Sequence, residues 1–157
     1  MHWMGQTVRL CIYLHYLANA RCHFGGPCRQ STVVQDQAAI LVQRTISLVL
    51  GTDVLAAENG TIATYTGVIS GDNTLVVGDE THLGTVILAG NNTYNQGTIV
   101  QGGILSVAAD AALGALALAL SGGELETTAN FATARSVILA STLGRDSLFA
   151  DSGTTAA

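Results

Sequence analysis

Residues 84–107 read GTVILAGNNTYNQGTIVQGGILSV, and the fold depends on how this stretch is parsed. A short apolar run, 86–88, meets the polar turn Gly90-Asn91-Asn92-Thr93. A second run, 98–100, follows; Gly102-Gly103 breaks the chain, and 104–107 makes a third run. Runs of β-branched and aliphatic residues between Gly and Asn predict short strands. The parse is one coil of a solenoid, built from three short strands. No residue in it has the look of a catalytic group.

Working outward, the pattern recurs. Residues 68–74 (VISGDNT) align with 87–93 (ILAGNNT) at an offset of 19, and Gly102-Gly103-Ile104-Leu105 aligns with Gly122-Gly123-Glu124-Leu125 at an offset of 20. A period near 20 marks a repeat architecture, and helical repeats are longer, at roughly 33–47 residues. A leucine ladder is absent. The predicted fold is therefore all-β: a right-handed parallel β-helix of about six coils over residues 31–157. In such a coil each inward residue lies over its counterpart in the next, so Leu, Ile, Val and Ala fill a narrow core. Aromatics, 5% of the chain, are too bulky to repeat in every coil. Glycines permit corners with positive φ, and Asn amides pair with backbone groups or with one another. In Gly123-Glu124-Leu125-Glu126, alternation points Leu125 inward and both acids outward.

The chain divides into a leader (1–30), a lead-in or cap (31–66) and the repeats (67–157), read as truncated at the C-terminus. Within 38–50, thirteen residues without Gly or Pro also allow a helix that would cover the first coil. Residues 1–30 carry three Arg and no acid; residues 31–157 carry three Arg against all eleven acids. The acidic body repels phosphates, which argues against nucleic acid as a partner. No apolar run reaches the roughly 18–20 residues of a membrane-spanning helix. In the leader, residues 10–17 followed by Ala18-Asn19-Ala20 resemble a signal peptide with its cleavage site; a misassigned start is the competing reading. Cys11, Cys22 and Cys28, an odd count, make a poor disulfide framework, and with His15 and His23 they lack standard zinc-finger spacing.

Residues 67–140 resemble the autotransporter-associated β-strand repeat (the passenger-associated transport repeat) of bacterial surface proteins. The resemblance is carried by Val86, Leu88, Gly90, Asn92, Thr93, Tyr94, Gly97, Thr98, Val100, Gly103, Leu105 and Val107. It continues through Ala111-Ala112-Leu113-Gly114, Gly122, Gly123, Leu125, and Phe131 with Ala134, Arg135 and Val137. Gln96 replaces the first Gly of the usual Gly-Gly pair. The resemblance implies an extracellular passenger segment, secreted or held at the outer membrane, that serves as a scaffold for display and adhesion. It implies structural roles for the motif residues, no cofactor or metal, and partners on host or neighbouring-cell surfaces. A translocation barrel, which needs about 8 or more strands of roughly 10 residues, is not among these 157 residues.

Other candidate chemistry is sparse. Asp151-Ser152-Gly153 and Asp146-Ser147-Leu148 resemble hydrolase nucleophile motifs, but a serine needs an oriented base, and His82 is the only histidine after residue 30. Asp79-Glu80 and Glu124/Glu126 are the carboxylate pairs that a polysaccharide-cleaving enzyme would use. Asn59-Gly60-Thr61 and Asn91-Asn92-Thr93 match glycosylation acceptors. The alternatives to the scaffold are a hydrolase on the same fold and a gene fragment without independent function. A sheet edge at an open end of the β-helix is expected to drive self-association.

Overall fold

The structure, a computed structural model, describes residues 20–23, 30–35, 39–49, 52–141 and 145–155. Short strands alternate with turns throughout: β1 (Ala20–His23), β2 (Gln30–Gln35), β3 (Ala39–Val42), β4 (Ile46–Leu48), β5 (Thr52–Ala57), β6 (Ile62–Tyr65), β7 (Ile69–Gly71), β8 (Leu75–Val77), β9 (Thr85–Leu88), β10 (Thr98–Val100), β11 (Ile104–Val107), β12 (Leu118–Leu120), β13 (Glu124–Thr127), β14 (Val137–Leu139) and β15 (Ser147–Ala150). One sheet runs β1-β2-β5-β8-β10-β12-β14, a second β15-β13-β11-β9-β6-β3, and a third pairs β4 with β7. Apart from the antiparallel pair β1–β2, the pairings are parallel. The chain thus visits the first and second sheets in turn and climbs one rung per circuit. This is the parallel β-helix read from the sequence, with about five turns between its first rung (coil 1, from β2) and its last (coil 6, from β14).

Three details of that reading are corrected. The runs within 84–107 are not three sides of one coil. Their strands are β9, β10 and β11, and β9 lies directly beneath β11 in the second sheet, with Val86 opposite Leu105 and Leu88 opposite Val107. One circuit therefore holds two long-sheet strands, and the polar turn 90–95 forms the third side. The offset of 20 is the register between coils 4 and 5, since Ile104 pairs with Glu124 and Leu105 with Leu125. The offset of 19 between 68–74 and 87–93 is not the register of those coils: β9 stacks on β6, Ile62 under Thr85, a step of 23. Register follows the row of inward side chains, and corners of unequal length change the step from coil to coil, from 19 between β9 and β11 to 23 between β13 and β15. The helix allowed over 38–50 is also replaced, by strands β3 and β4. Ile40, Val42 and Ile46 suit strands, and pairing with β6 and β7 satisfies their backbone groups. The outer edge of β2 is instead covered by β1, which lies within the segment read as leader.

The core consists of stacked rows. Leu55, Val77, Val100 and Leu120 form one row on the first sheet, and Ala63, Val86, Leu105 and Leu125 one on the second; all are buried. Burying each larger aliphatic contributes about 1.5–3 kcal/mol. Leu125 faces in while Glu124 and Glu126 stay half-exposed, as alternation predicts. Aromatics do enter the core, each in a single coil: Tyr65, Tyr94 and Phe131. Several glycines answer to crowding rather than to φ. A Cβ on Gly90 would stand 2.4 Å from the Gly67 carbonyl oxygen of the coil below. Gly103 meets both demands, with φ +66 and the Gly84 oxygen 2.4 Å from any added Cβ. Gln96 costs little at its turn, because it is exposed and the positive φ falls on Gly97, at +87.

One inward position holds a carboxylate. Asp53, 3% exposed, shares the inner face of β5 with Leu55 and Ala57. Burial raises its pKa, more than hydrogen bonds from Asn73 and the Val49 amide lower it. A raised native pKa means that the buried charge opposes folding at neutral pH, and that this penalty is relieved as pH falls towards the unfolded value of 3.8. Asp53→Asn keeps an acceptor and removes the charge. It is expected to raise Tm at pH 7, with the gain shrinking as the medium is acidified. Thermal denaturation followed by circular dichroism at pH 7 and pH 4 measures both.

Candidate functional site

Of the residues that carried the family likeness, Val86, Leu88, Thr98, Val100, Leu105, Val107 and Leu125 lie in the strands of the two long sheets; Gly90, Asn92, Thr93 and Tyr94 lie on the third side of the β-helix, where Asn92 and Tyr94 bind one coil to the next. Beyond β7 this side no longer forms a strand. The chain at Thr93 still stacks on β7, its amide donating to the Ile69 oxygen at 2.8 Å, and Asn95 repeats the contact to Gly71 at 3.1 Å. One coil higher, residues Asp110–Leu113 turn as a short 3-10 helix. A strand below and a 3-10 turn above do not match in repeat, so backbone groups would be left over. Asn92 takes them up. Its Oδ1 accepts from the Ile69 amide at 2.8 Å, and its Nδ2 donates to the Ala112 oxygen at 2.6 Å. The Asn92 amide N–H itself donates to the Ala111 oxygen at 2.9 Å. A side-chain carboxamide has the same donor and acceptor as a peptide group, and here it occupies the place of one. Asn92 is 8% exposed, so no water substitutes for these bonds.

Tyr94 and Thr98 continue the staple inward. The Tyr94 ring is fully buried, and its hydroxyl lies 2.6 Å from Thr98 Oγ1, which in turn donates to the Leu113 oxygen at 3.2 Å. Burial pushes the Tyr94 phenol up to about 12, even against the Thr98 hydrogen bond and the nearby Arg135 charge; the group is neutral at any ordinary pH. Gly114 makes room for the ring, since a Cβ there would come within 2.6 Å of it.

Arg135 closes the same loop from the coil above. Its Nε donates to Asp110 Oδ1 at 2.6 Å, Nη1 to the Leu116 oxygen at 2.9 Å and Leu113 at 3.4 Å, and Nη2 to the oxygens of Asp110 and Gly114, each at 3.1 Å. The side chain is 9% exposed. Hydrogen bonding from Arg135 holds the Asp110 carboxyl below its usual range. Leu116, the one non-glycine residue with positive φ among those described, lies within this clamp. From the sequence Arg135 was only one letter in a family pattern. The signal that could have singled it out is its rarity, as one of three arginines in the acidic body.

The catalytic candidates are not assembled. Ser152 sits in an exposed turn of coil 6, and Ser147 on the outer face of β15. His82 lies in a corner of coil 3, three rungs or about 14 Å along the axis from either, and its Nδ1 is 2.7 Å from Asp79 Oδ2. Burial pushes the Asp79 carboxyl up, but hydrogen bonds from the His82 ring, the Thr81 hydroxyl and the amides of Thr81 and His82 outweigh it and hold the group at about 2. Asp79 thus serves its own loop, and Glu80 points to solvent. Glu124 and Glu126 are about 7 Å apart along one strand, on the outer face of the second sheet; the neighbouring cavity, about 290 Å³ and lined by Leu118, Leu125, Phe131 and Leu148, lies on the inner face. Among the described residues no group of three or more His, Cys, Asp or Glu is placed to hold a metal ion. Of the leader's cysteines and histidines, Cys22 and His23 fall in β1; Cys11, His15, Cys28 and the apolar stretch 10–17 lie outside the described residues. Asn59 and Asn91 are exposed at turns, and Asn59 Oδ1 accepts from the Leu83 amide at 2.8 Å. No helix among the described residues is long and apolar enough to cross a membrane, which leaves β-barrels unaddressed.

No family model matches the chain, and no solved structure matches it. One curated protein does: Adhesin BmaC autotransporter of Brucella suis biovar 1 (strain 1330), 38% identical over 115 residues. The match takes in 72% of this chain and 3% of the relative, so the chain corresponds to a small part of that protein's length. Over most of its residues, then, this parallel β-helix is homologous to a segment of an autotransporter adhesin.

Proposed function

We propose that this chain is a passenger-type β-helix segment of a bacterial autotransporter, a scaffold for adhesion displayed at the cell surface, and that it performs no catalysis. The observation that carries the reading is the 38% identity to an autotransporter adhesin over 115 residues. The fold supports it: polar side chains of the motif are spent on joining coils, which is what a load-bearing stalk requires. Outward positions such as Thr64, Thr85 and Thr93 present short polar groups suited to shallow contacts with a host or neighbouring-cell surface. The specific repeat family, the outer-membrane location and the surface partner are parts of this proposal.

The test is display of the chain on a Gram-negative cell through a separately supplied translocation barrel, with adherence to cultured epithelial cells as the readout. Adherence above that of cells carrying the barrel alone is the expected result. Surface exposure without any gain in adherence would remove the adhesive role. Release of product from ester or polysaccharide substrates, lost in Ser147→Ala or Ser152→Ala, would replace the scaffold reading with a hydrolase.

A further inference from the structure

We infer that Asn59-Gly60 is a self-modification site, at which the Gly60 nitrogen attacks the Asn59 carboxamide and converts residue 59 to aspartyl and isoaspartyl forms. The argument is independent of adhesion. This is the only Asn-Gly pair in the chain. It occupies the exposed corner between β5 and β6, closed by the Thr61 amide donating to the Glu58 oxygen at 2.9 Å. Gly60 has φ +77, and an added Cβ would meet nothing within 4 Å. Its nitrogen is therefore open to a hydroxide that removes the proton, and no side chain of its own hinders the attack. Among the described residues neither the Gly60 N–H nor Asn59 Nδ2 makes a hydrogen bond. Asn59 Oδ1 accepts from the Leu83 amide of the next coil at 2.8 Å, a donor placed where negative charge develops as the nitrogen adds. The other described asparagines differ. Asn92 is buried, with both ends of its carboxamide bonded. Asn73 and Asn95 donate through Nδ2 to Asp53 and Asp72, and precede Thr74 and Gln96. Asn91 and Asn130 precede Asn92 and Phe131, again residues whose side chains hinder the attacking nitrogen.

The step is intramolecular and consumes only water. Gly60 N, deprotonated by hydroxide, bonds to Asn59 Cγ; the Cγ–Nδ2 bond breaks, and Nδ2 takes up a proton and leaves as ammonia. Water then opens the succinimide. Cleavage of the new bond leaves aspartate, whose carboxylate still accepts from Leu83. Cleavage of the original peptide bond leaves isoaspartate, with an extra methylene in the main chain. The corner cannot take in that length without moving, because it is fixed to coil 3 on both sides: the Gly84 amide donates to the Ala57 oxygen and the Thr85 amide to the Thr61 oxygen, each at 2.9 Å. Either product adds a negative charge beside Glu58, whose Oε1 lies 3.8 Å from His82 Nε2.

Incubation of the folded full chain in heavy-oxygen water, followed by peptide mass spectrometry, tests this. Residue 59 is expected to gain the mass of an amide-to-acid exchange with one heavy oxygen, at least about tenfold faster at pH 8 than at pH 6, because the attacking nitrogen must lose its proton. Gly60→Ala places a methyl group beside that nitrogen and is expected to slow conversion at least about tenfold. Alanine is strained at φ +77, so Asn59→Gln serves beside it: a carboxamide is kept, and the larger ring it would need removes the reaction. In the isoaspartyl fraction, hydrogen exchange at the Leu83 amide should rise at least about tenfold, whereas Asn59→Asp, which keeps the acceptor, should leave that amide protected. An unchanged residue 59, conversion at Asn91 to the same extent, or a rate indifferent to Gly60→Ala would each overturn the site. Undiminished protection of Leu83 in the isoaspartyl fraction would overturn its consequence for the corner.

Discussion

Asn92→Ala is expected to lower stability by about 2–4 kcal/mol, which for a chain of this size corresponds to a fall in Tm on the order of 5–15 °C. The estimate counts the bonds that disappear. Truncation leaves the Ile69 amide and the Ala112 carbonyl without their partners at 2.8 and 2.6 Å. Both belong to a buried site, and an unsatisfied buried donor or acceptor costs roughly 1–3 kcal/mol. The effect should not stay local, because the two groups lie on different coils and Asn92 on a third between them. Asn92→Asp separates hydrogen bonding from volume. The introduced carboxylate still accepts from Ile69 but cannot donate to Ala112, and at neutral pH it sets a buried negative charge against a carbonyl oxygen. Its native pKa must then lie above its unfolded value, so the variant should recover stability as pH falls, whereas Asn92→Ala should not. Equal pH profiles for the two variants would show that packing, not the carboxamide bridge, accounts for Asn92.

Arg135→Ala is expected to cost about 3 kcal/mol, within the range measured when one partner of a buried ion pair is removed. Four carbonyl oxygens and one carboxylate lose a donor at once. The figure stays at the lower end of that range because Asp110 is 41% exposed and water can replace part of the contact. Arg135→Lys should recover less than half. A single ammonium has three donors on a point charge and cannot span oxygens that a planar guanidinium reaches from both edges. The deficit should also depend on pH. The lowered Asp110 pKa means that its pairing with Arg135 stabilises the fold above about pH 3.8 and loses that contribution as pH falls further. Urea denaturation of wild type and both variants at pH 7 and pH 3 would measure this; a deficit of the same size at both pH values would remove the ion pair from the account.

These two side chains show where reading the chain stopped. The strands were legible almost residue by residue, because short apolar runs between Gly and Asn have few other solutions: 39–42, 104–107 and the Leu125 alternation all appear as read. The step of 20 between Gly102-Gly103 and Gly122-Gly123 was legible too, since each pair leads directly into strands that stack in that register, Ile104 on Glu124 and Leu105 on Leu125. The step of 23, between β6 and β9 and again between β13 and β15, was hidden. Corners of unequal length carry no periodic signal, and a chance match at 19 imitated one. Nothing in the sequence marks Asp53 as buried, because its burial depends on which face of β5 turns inward and on what stacks above it.

The sequence by itself determined the class of fold and the family likeness, through composition, strand spacing and the Asn-Thr-Tyr turn. It also placed the coil interior, because Leu, Ile and Val recur at inward positions whatever the length of the corners. Only the tertiary structure decided the number of strands per coil, the register of each rung, and the partners of Asn92, Tyr94 and Arg135. The physical reason is that the partners of Asn92 and, the Asp110 carboxylate apart, those of Arg135 are backbone groups 19 to 25 residues away. Every residue has the same N–H and C=O, so nothing in a sequence shows which of them will be left without a neighbour until the coils are stacked.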